Sequence, residues 1–456
     1  MLYRFLKIVF RFAIRQYFRE VTVSRGDSIP KGKPLIVLPN HTSAFMDPIV
    51  VAAHIPRPVF FLARGESFQN KFMSKLFRVL HMIPIYRREH TPDLVDQNEF
   101  IFQKCFEMME EKGCLMIFPE GVSQMEPQLM PLKTGSARIA LGAEARNDFT
   151  LDIHLLPAGI NYMNAHSVQG KLFVNFGEPI RCSDYKELYE NDPEKAIRKL
   201  TQDISDELSS RIVIVEDKRW QHLAIRAERL IRSEIRAFQE VADLEGEGEA
   251  GWFLTRQQIL ETIDYVKRNH GEAQLVEIEK RVDRFHNLVK RLRLEKRFYQ
   301  PLGKRSERQP SKFQIALYFI LTFPLFLVGA VQHIVQYKIT ESLANKIVKR
   351  DDFRGSVLLA LGILIFGIFW LGYSYLVYVL TASWPIALIF LVTMPVLGVI
   401  AFRYYIRIGR LISDRYVWRK GSRSKGIIRS LSEERDELIA AFRTYYSGHM
   451  SSVDKI

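Results

Sequence analysis

Residues 39–50 read PNHTSAFMDPIV and place a histidine and an aspartate, His41 and Asp47, between two apolar segments. A neutral imidazole is a good general base near pH 7, and a carboxylate bonded to its second nitrogen fixes the tautomer and stabilises the imidazolium. The two side chains can meet only if the chain folds back at a strand-to-helix corner. Asp47 before Pro48 is also typical of a helix N-cap, and His41 could simply close the strand. A zinc site is a poor alternative because no second histidine or cysteine stands at ligand spacing nearby.

Four further segments carry charged residues or glycine just after predicted strands or at the start of a predicted helix. They are HMIPIYRR (81–88), FPEGVSQ (118–124), LMPLKTGSARIA (129–140) and LLPAGINY (155–162). Arg87 and Lys133 are cations of these segments, and Lys133 stands at a helix start that suits phosphate. Glu120 and Gly121 form a turn after a buried strand. Each segment alone is a weak signal, since surface arginines are usually only solvated.

Short apolar runs alternate with amphipathic helical stretches over residues 21–182, which predicts an α/β domain. Strands that alternate with helices form a largely parallel sheet covered on both faces. Sites in open sheets of this kind gather beyond the carboxyl ends of the strands. His41 and Glu120 each follow such a strand, so the sequence places both at one edge of the sheet.

The segments on either side of this domain are predicted to be helical. Residues 1–20 alternate bulky apolar side chains with Arg and Lys, which is typical of a helix lying on an anionic membrane. A helix docked on the protein's own core fits the same pattern. Residues 183–310 are charged and helical, either a partner-binding arm or a connector that packs on itself. Apolar side chains in 275–292 repeat like a coiled-coil seam, expected to pair with helices in 193–240.

Residues 311–410 are predicted to form a membrane domain. Residues 355–402 contain no Asp, Glu, Lys or Arg, enough for two spans of about 20 residues. The two spans are 355–380 and 384–402. For the uncharged segment 313–336 we favour a re-entrant or in-plane hairpin broken at Pro324, with a full third span as the alternative.

Charge predicts the orientation of this membrane domain. Basic residues flank both ends of 355–402, and the turn between its two spans carries none. The positive-inside rule places both ends in the cytoplasm. Residues 411–456 are then a basic cytoplasmic tail, and the α/β domain lies on the cytoplasmic face.

Composition narrows the classes of partner. A formal net charge of +14 favours phosphorylated substrates or acidic lipid. No nucleic-acid-binding module is recognised, and the basic residues cluster beside the membrane segments, so nucleic acid is not an expected partner. The three cysteines, Cys105, Cys114 and Cys182, form no C-x-x-C pair. We interpret them as small buried side chains in a reducing compartment.

Taken together, the blocks resemble the glycerophospholipid acyltransferases, the PlsC-like family of glycerol-3-phosphate and lysophosphatidate acyltransferases. The resemblance covers about residues 30–180 and four ordered blocks. These are Asn40-His41 with Asp47, Ile83-Pro84-Ile85-Tyr86-Arg87, Phe118-Pro119-Glu120-Gly121, and Leu156-Pro157-Ala158. It implies a mixed, mostly parallel sheet flanked by helices, followed by a helical region and C-terminal transmembrane helices.

The resemblance also implies a reaction. A fatty acyl group passes from a thioester of coenzyme A or acyl carrier protein to glycerol-3-phosphate or dihydroxyacetone phosphate, in phospholipid synthesis. Lysophosphatidate is the alternative acceptor, and a catalytically silent membrane scaffold is the non-enzymatic alternative. His41 takes the proton of the acceptor hydroxyl, and Asp47 orients His41. No cofactor or metal is implied beyond the thioester co-substrate.

The remaining blocks imply a phosphate site. Arg87 and Lys133 hold the glycerol phosphate, while Glu120, beside Gly121, bonds a substrate hydroxyl or orders those cations. The sequence departs from the family pattern twice. Five residues, TSAFM, separate the His and Asp where four are commoner, a spacing similar to that of some glycerol-3-phosphate and dihydroxyacetone-phosphate acyltransferases. The third block usually continues with Thr-Arg, whereas Val122-Ser123 follow here, which shifts the expected phosphate contacts to Arg87 and Lys133.

Overall fold

The structure, a computed structural model, describes most of the chain. The described residues are 2–68, 71–86, 97–123, 128–163, 168–215, 217–231, 251–292, 294–299, 312–348, 353–423 and 425–453. They form two compact units: residues 1–214 with 340–364, called unit 1, and residues 215–339 with 365–456, called unit 2.

Unit 1 is built on an eight-stranded sheet. Its strands are β1 (Glu20–Ser24), β2 (Leu35–Pro39), β3 (Phe60–Arg64), β4 (Met82–Ile85), β5 (Cys114–Met116), β6 (His154–Met163), β7 (Lys171–Phe176) and β8 (Ile180–Arg181). Their order is β1-β7-β6-β2-β5-β3-β4, with β8 beside β6. Neighbours run parallel except at β6–β7 and β6–β8. The predicted α/β class with a mixed, mostly parallel sheet is confirmed.

Helices cover both faces of this sheet. They are α1 (Leu2–Tyr17), α2 (Met46–His54), α3 (Lys71–Val79), α4 (Gln97–Glu110), α5 (Gly135–Arg146), α6 (Lys186–Asn191) and α7 (Pro193–Ser210). Successive side chains of a strand point to opposite faces, so the central strand β2 contributes side chains to the core on each face of the sheet. Leu35 and Val37 pack with α1 and α2, whereas Ile36 and Leu38 pack with α4, α5 and α7.

Helix α1 docks on the protein's own core along one side. Ile14, Tyr17 and Phe18 are buried there. Lys7 and Arg11 donate hydrogen bonds to the carbonyl oxygens of Ile55 and Ala53, at the end of α2 where the helix dipole favours cations. The exposed side chains of α1 are Arg4, Phe5, Ile8, Arg11, Phe12 and Arg15. Helix α1 therefore docks on the protein's own core, as one of the two interpretations predicted. Its exposed side carries both apolar and basic side chains.

Unit 2 contains a bundle of helices. They are α8 (Gln221–Ile231), α9 (Gly251–His270), α10 (Glu272–Arg291), α11 (Glu295–Tyr299) and, last in the chain, α15 (Lys425–Val453). The predicted seam on α10 buries Leu275, Val282, Phe285 and Val289 against α8, α9 and α15.

Two features of the helical region differ from the prediction. The seam on α10 was expected to pack on helices within 193–240, and it does pack on α8. The part of that prediction that concerns residues 193–210 is wrong, because α7 buries its apolar side chains against α5 in unit 1. The sequence also assigned 411–456 to a tail, whereas α15 contributes Leu438 and Phe442 to the core of the bundle. Apolar residues at helical spacing drive that packing even in a segment rich in charge.

Within the described ranges, three helices are long and apolar enough to cross a membrane: α12 (Lys312–Ile347), α13 (Arg354–Thr381) and α14 (Trp384–Arg423). The hairpin predicted around Pro324 is wrong, since α12 runs through that proline without interruption. A proline is tolerated inside an apolar helix when the helix continues on both sides and neighbours satisfy the freed backbone groups. Helix α14 likewise extends past the predicted end of its span, to Arg423.

Candidate active site

Asn40 ties the loop that follows β2 to the neighbouring strand β6. This buried side chain donates to the carbonyl oxygen of Ile160 at 3.1 Å and accepts from the N–H of Ile160 at 2.6 Å. Both backbone groups of Ile160 lie beyond the last β2–β6 pair, Pro39 with Ala158. The amide thus replaces the missing partner strand and fixes the start of the loop that carries His41.

His41 and Asp47 form the hydrogen-bonded pair that the sequence predicts. His41 Nδ1 donates to Asp47 Oδ2 at 2.9 Å, and the Ser43 N–H donates to the same oxygen at 2.7 Å. Asp47 is fully buried, whereas the His41 side chain is 19% exposed and lies 4.1 Å from the Phe118 ring, centroid to centroid. With Nδ1 protonated, the lone pair that can take a proton is on Nε2. The N-cap interpretation of Asp47 is wrong, because Phe45 occupies the N-cap of α2.

Tyr162 completes the shell around the Asp47 carboxylate. Its hydroxyl donates to Asp47 Oδ1 at 2.8 Å, and its ring stacks on Phe18 at the end of α1 with centroids 5.8 Å apart. Burial, with Asp47 as a second cause, raises the pKa of Tyr162 well above its usual value. The hydroxyl therefore stays protonated and donates throughout the neutral range. Three donors, from His41, Ser43 and Tyr162, hold the carboxylate in one orientation.

Glu120 fastens the turn after β5 to the same loop. One carboxylate oxygen accepts from the backbone N–H of His41 at 2.7 Å, and the other accepts from that of Met130 at 3.1 Å. Burial raises the pKa of Glu120, while these two hydrogen bonds oppose the shift. Both oxygens are thus engaged with backbone, which makes Glu120 a positioning residue for His41 in this structure.

The two departures from the family pattern meet in space. Ala44, inside the longer His–Asp loop, has a left-handed backbone with φ of 33°. Residues other than glycine rarely adopt this backbone conformation. Its N–H donates to the hydroxyl of Ser123 at 3.1 Å. Ser123 stands where the family usually has arginine, so in this chain the position supports the longer loop.

The predicted phosphate residues are only partly described. Lys133 passes over Gly121, where a Cβ built on the glycine would lie 3.1 Å from the lysine Cδ and Cε. Gly121 has φ of 72°, which suits glycine. Lys133 is exposed at the start of α5, beside the turn that carries Glu120. Arg87 lies outside the described residues, so its place in the site stays a prediction.

Sequence reasoning missed Tyr162, Ser123 and the role of Asn40. Strand β6 does carry a signal for Tyr162, since Ala158, Ile160 and Tyr162 alternate along one face and all pack in the core that contains α2. No local pattern points to the bond between Ser123 and Ala44. Among the described residues, no group of three or more His, Cys, Asp or Glu could hold a metal ion.

Replacing Tyr162 with phenylalanine is expected to lower kcat about 2–10-fold, the effect of one lost hydrogen bond. A carboxylate with one donor fewer holds the imidazole less firmly in the orientation that the transfer needs. Tyr185→Phe is the matched control, because Tyr185 donates to Asp203 at 2.6 Å, in a bond that does not involve the dyad. A Tyr162 variant with the kcat of the wild type would contradict the assignment.

Comparison with known proteins finds sequences similar to this part of the chain. The acyltransferase family profile matches residues 20–161. Glycerol-3-phosphate O-acyltransferase 2 of Saccharomyces cerevisiae is 37% identical over 117 residues, which are 25% of this chain and 16% of the yeast protein. The 1-acyl-sn-glycerol-3-phosphate acyltransferase of Bacillus subtilis is 24% identical over 172 residues, covering 37% of this chain and 77% of that protein.

The first of these similarities is local, because the chain spans less than a fifth of the length of the yeast relative. Among solved structures, the 1-acyl-sn-glycerophosphate acyltransferase PlsC of Thermotoga maritima aligns with a TM-score of 0.32 and 20% identity, over 44% of this chain and 78% of PlsC. The family profile and the four sequence blocks fall on the same part of unit 1. Residues 20–161 of this chain therefore match a domain of the acyltransferase family, and the relatives named above are acyltransferases that act on glycerol-3-phosphate or its 1-acyl derivative.

Proposed function

We propose that the protein is a membrane-bound O-acyltransferase that transfers a fatty acyl group from a thioester to glycerol-3-phosphate or dihydroxyacetone phosphate. The observation that carries this proposal is the His41–Asp47 pair, fixed by Tyr162, Ser43 and Glu120 at the carboxyl end of the sheet. Coenzyme A or acyl carrier protein would supply the thioester, and no cofactor is required. The yeast relatives are named for glycerol-3-phosphate acylation, which favours that acceptor.

The proposed reaction is a direct transfer without an acyl-enzyme. His41 Nε2 takes the proton of the acceptor hydroxyl while its oxygen attacks the thioester carbonyl carbon, forming the new C–O bond. The C–S bond then breaks, and the proton on His41 passes to the leaving thiolate. Asp47 keeps Nδ1 protonated and stabilises the transient imidazolium. General-base help of this kind is worth about 10²–10⁴ in rate.

Arg87 and Lys133 are proposed to hold the acceptor phosphate. Ser123 stands in place of the family's usual arginine and bonds the His–Asp loop, which leaves these two cations as the candidates. Arg87→Ala is expected to raise the KM for the phosphorylated acceptor about tenfold or more, since a charge-assisted hydrogen bond contributes about 1.5–3 kcal/mol. Arg146→Ala is the control, because this arginine pairs with Glu110 elsewhere in unit 1. An unchanged KM would remove Arg87 from the site.

Membrane attachment fits a reaction whose acyl chains and lysolipid products partition into lipid. Helices α12, α13 and α14 are apolar enough to span. The distribution of basic residues supports a catalytic unit on the cytoplasmic face, and the exposed cations of α1 would face anionic headgroups.

The deciding experiment is an acceptor assay with the purified protein in liposomes. Glycerol-3-phosphate, dihydroxyacetone phosphate and lysophosphatidate are each supplied with labelled acyl-CoA or acyl carrier protein, and His41→Ala serves as the blank. We expect His41-dependent acylation of glycerol-3-phosphate. Acylation of lysophosphatidate alone would make lysophosphatidate the acceptor in place of glycerol-3-phosphate, in line with the name of the Bacillus relative. No transfer to any acceptor would favour the scaffold alternative.

A further inference from the structure

Phe118 lies against the face of the His41 ring. The two ring centroids are 4.1 Å apart, and the ring planes make an angle of 27°. A stacked contact of this kind is favourable for a neutral imidazole. It is more favourable for an imidazolium, because the face of an aromatic ring carries a partial negative charge that attracts a cation. The contact therefore suits a histidine that gains a positive charge.

The position of Phe118 follows from the register of two parallel strands. Val37 of β2 pairs with Met116 of β5. Phe118 comes two residues after Met116, so its side chain lies on the same face of the sheet as that of Met116, just beyond the end of β5. Pro119 favours extended backbone at Phe118, whose carbonyl oxygen accepts from the Gly121 N–H at 3.1 Å. The turn after β5 thus holds the ring beside the core that contains α2.

The same turn holds His41 in two ways. Glu120 accepts from the backbone N–H of His41 at 2.7 Å, while Phe118 covers one face of its ring. Asp47 bonds the ring at its edge, through Nδ1. None of these three contacts involves Nε2, the nitrogen that is proposed to take the proton. Phe118 can therefore act on the charge of the imidazole without blocking the proton transfer.

The stacked pair lies in partly buried surroundings. The His41 side chain is 19% exposed, and Phe118 packs against buried side chains of the core. The attraction between a cation and an aromatic face is stronger where water is excluded, because the charge is then screened less. An imidazolium at this position is stabilised at its edge by the buried Asp47 carboxylate and at its face by Phe118.

We propose that Phe118 is a positioning residue whose aromatic face stabilises the imidazolium of His41 during acyl transfer. His41 gains its positive charge as it takes the proton of the acceptor hydroxyl. Phe118 attracts that charge more strongly than it attracts the neutral ring, so the contact favours the transition state over the ground state. The inference rests on the proposed function, because the charge develops only if His41 is the general base.

The test changes the charge on the aromatic face and keeps the shape of the side chain. Fluorine atoms withdraw electrons from the ring, so phenylalanine with one, two or three ring fluorines binds a cation progressively less well. Each is incorporated at position 118 of the full-length protein in liposomes, and kcat and KM are measured with the donor and acceptor that the wild type uses. We expect kcat to fall with each fluorine, by about 3–10-fold in total, and KM to stay within about twofold of the wild type.

Phe60 provides the matched control. Its ring stacks on that of another histidine, His81, with centroids 4.5 Å apart and an angle of 13° between the planes. His81 is not part of the dyad. The same fluorinated residues at position 60 should therefore leave kcat unchanged. An equal fall of kcat in both series would overturn the proposal, because it would show a general effect of fluorine on the fold.

Two further results would also overturn the proposal. A kcat that does not depend on the number of fluorines at position 118 would leave Phe118 as an apolar cover of the His41 ring. A change confined to KM would place Phe118 against a substrate instead. Absence of any transfer by the wild-type protein would refute the proposed function together with this inference. A flat series in an active protein refutes the inference alone.

Discussion

Replacement of His41 by alanine is expected to lower kcat by about 10²–10⁴-fold, because the proposed acyl transfer loses its proposed general base. The fold should persist, because the side chain is partly exposed and the bond from its backbone N–H to Glu120 remains. The unfolding midpoint should fall, since the buried Asp47 carboxylate loses one of its three donors. The measurement is release of free thiol from acyl-CoA with glycerol-3-phosphate, together with the thermal unfolding midpoint of each protein.

His222→Ala is the control for a lost imidazole, since His222 is exposed on α8 in the other unit. It should keep wild-type turnover. A His41→Ala protein that folds normally and turns over within threefold of the wild type would remove the base from the mechanism. The non-enzymatic alternative, a membrane scaffold, requires that variants of His41 and variants of Asp47 both behave like the wild type.

Asp47→Asn is expected to lower kcat by about 10²–10⁴-fold with little change in size or shape. Every group around this carboxylate is a donor: His41 Nδ1–H, the Ser43 N–H and the Tyr162 hydroxyl. An amide offers one acceptor oxygen, and its NH₂ group must face a donor. The imidazole can relieve that conflict by moving its proton to Nε2, where it can no longer act as a base.

The Asp47 variant should also lose about 1–3 kcal/mol of stability, since a buried donor is left without an acceptor. Turnover is therefore compared at a temperature well below both unfolding midpoints, where the two proteins are folded. If the variant keeps more than a tenth of wild-type kcat under those conditions, the carboxylate does not set the tautomer of His41. Loss of stability without loss of turnover would make Asp47 a structural residue only.

Local patterns predicted the strands and the dyad, because each strand, and the His41–Asp47 pair, lies within a short stretch of the chain. Strand β2 is buried on both faces and reads as a continuous apolar run, and His41 follows it immediately. The carboxyl ends of parallel neighbours meet at one edge, so Glu120 after β5 had to lie near His41 after β2. Topology alone brings these two residues together.

Contacts between distant segments had no such pattern. Tyr162 reaches Asp47 only because β6 continues beyond the end of β2, and Ser123 reaches Ala44 across two loops. The prediction of a hairpin at Pro324 was wrong for another reason. Proline breaks helices in water, but a long apolar helix has few alternatives for its backbone groups and continues through it.

The packing of residues 340–364 into unit 1 has a consequence for how the protein is made. A ribosome exposes the whole sheet long before Leu358, Leu359 and Ile363 are translated, and these side chains fill part of the core beside the dyad. The core beside the dyad can therefore be completed only after the first turns of α13 have been translated. A fragment that ends before residue 340 would leave that core incompletely covered.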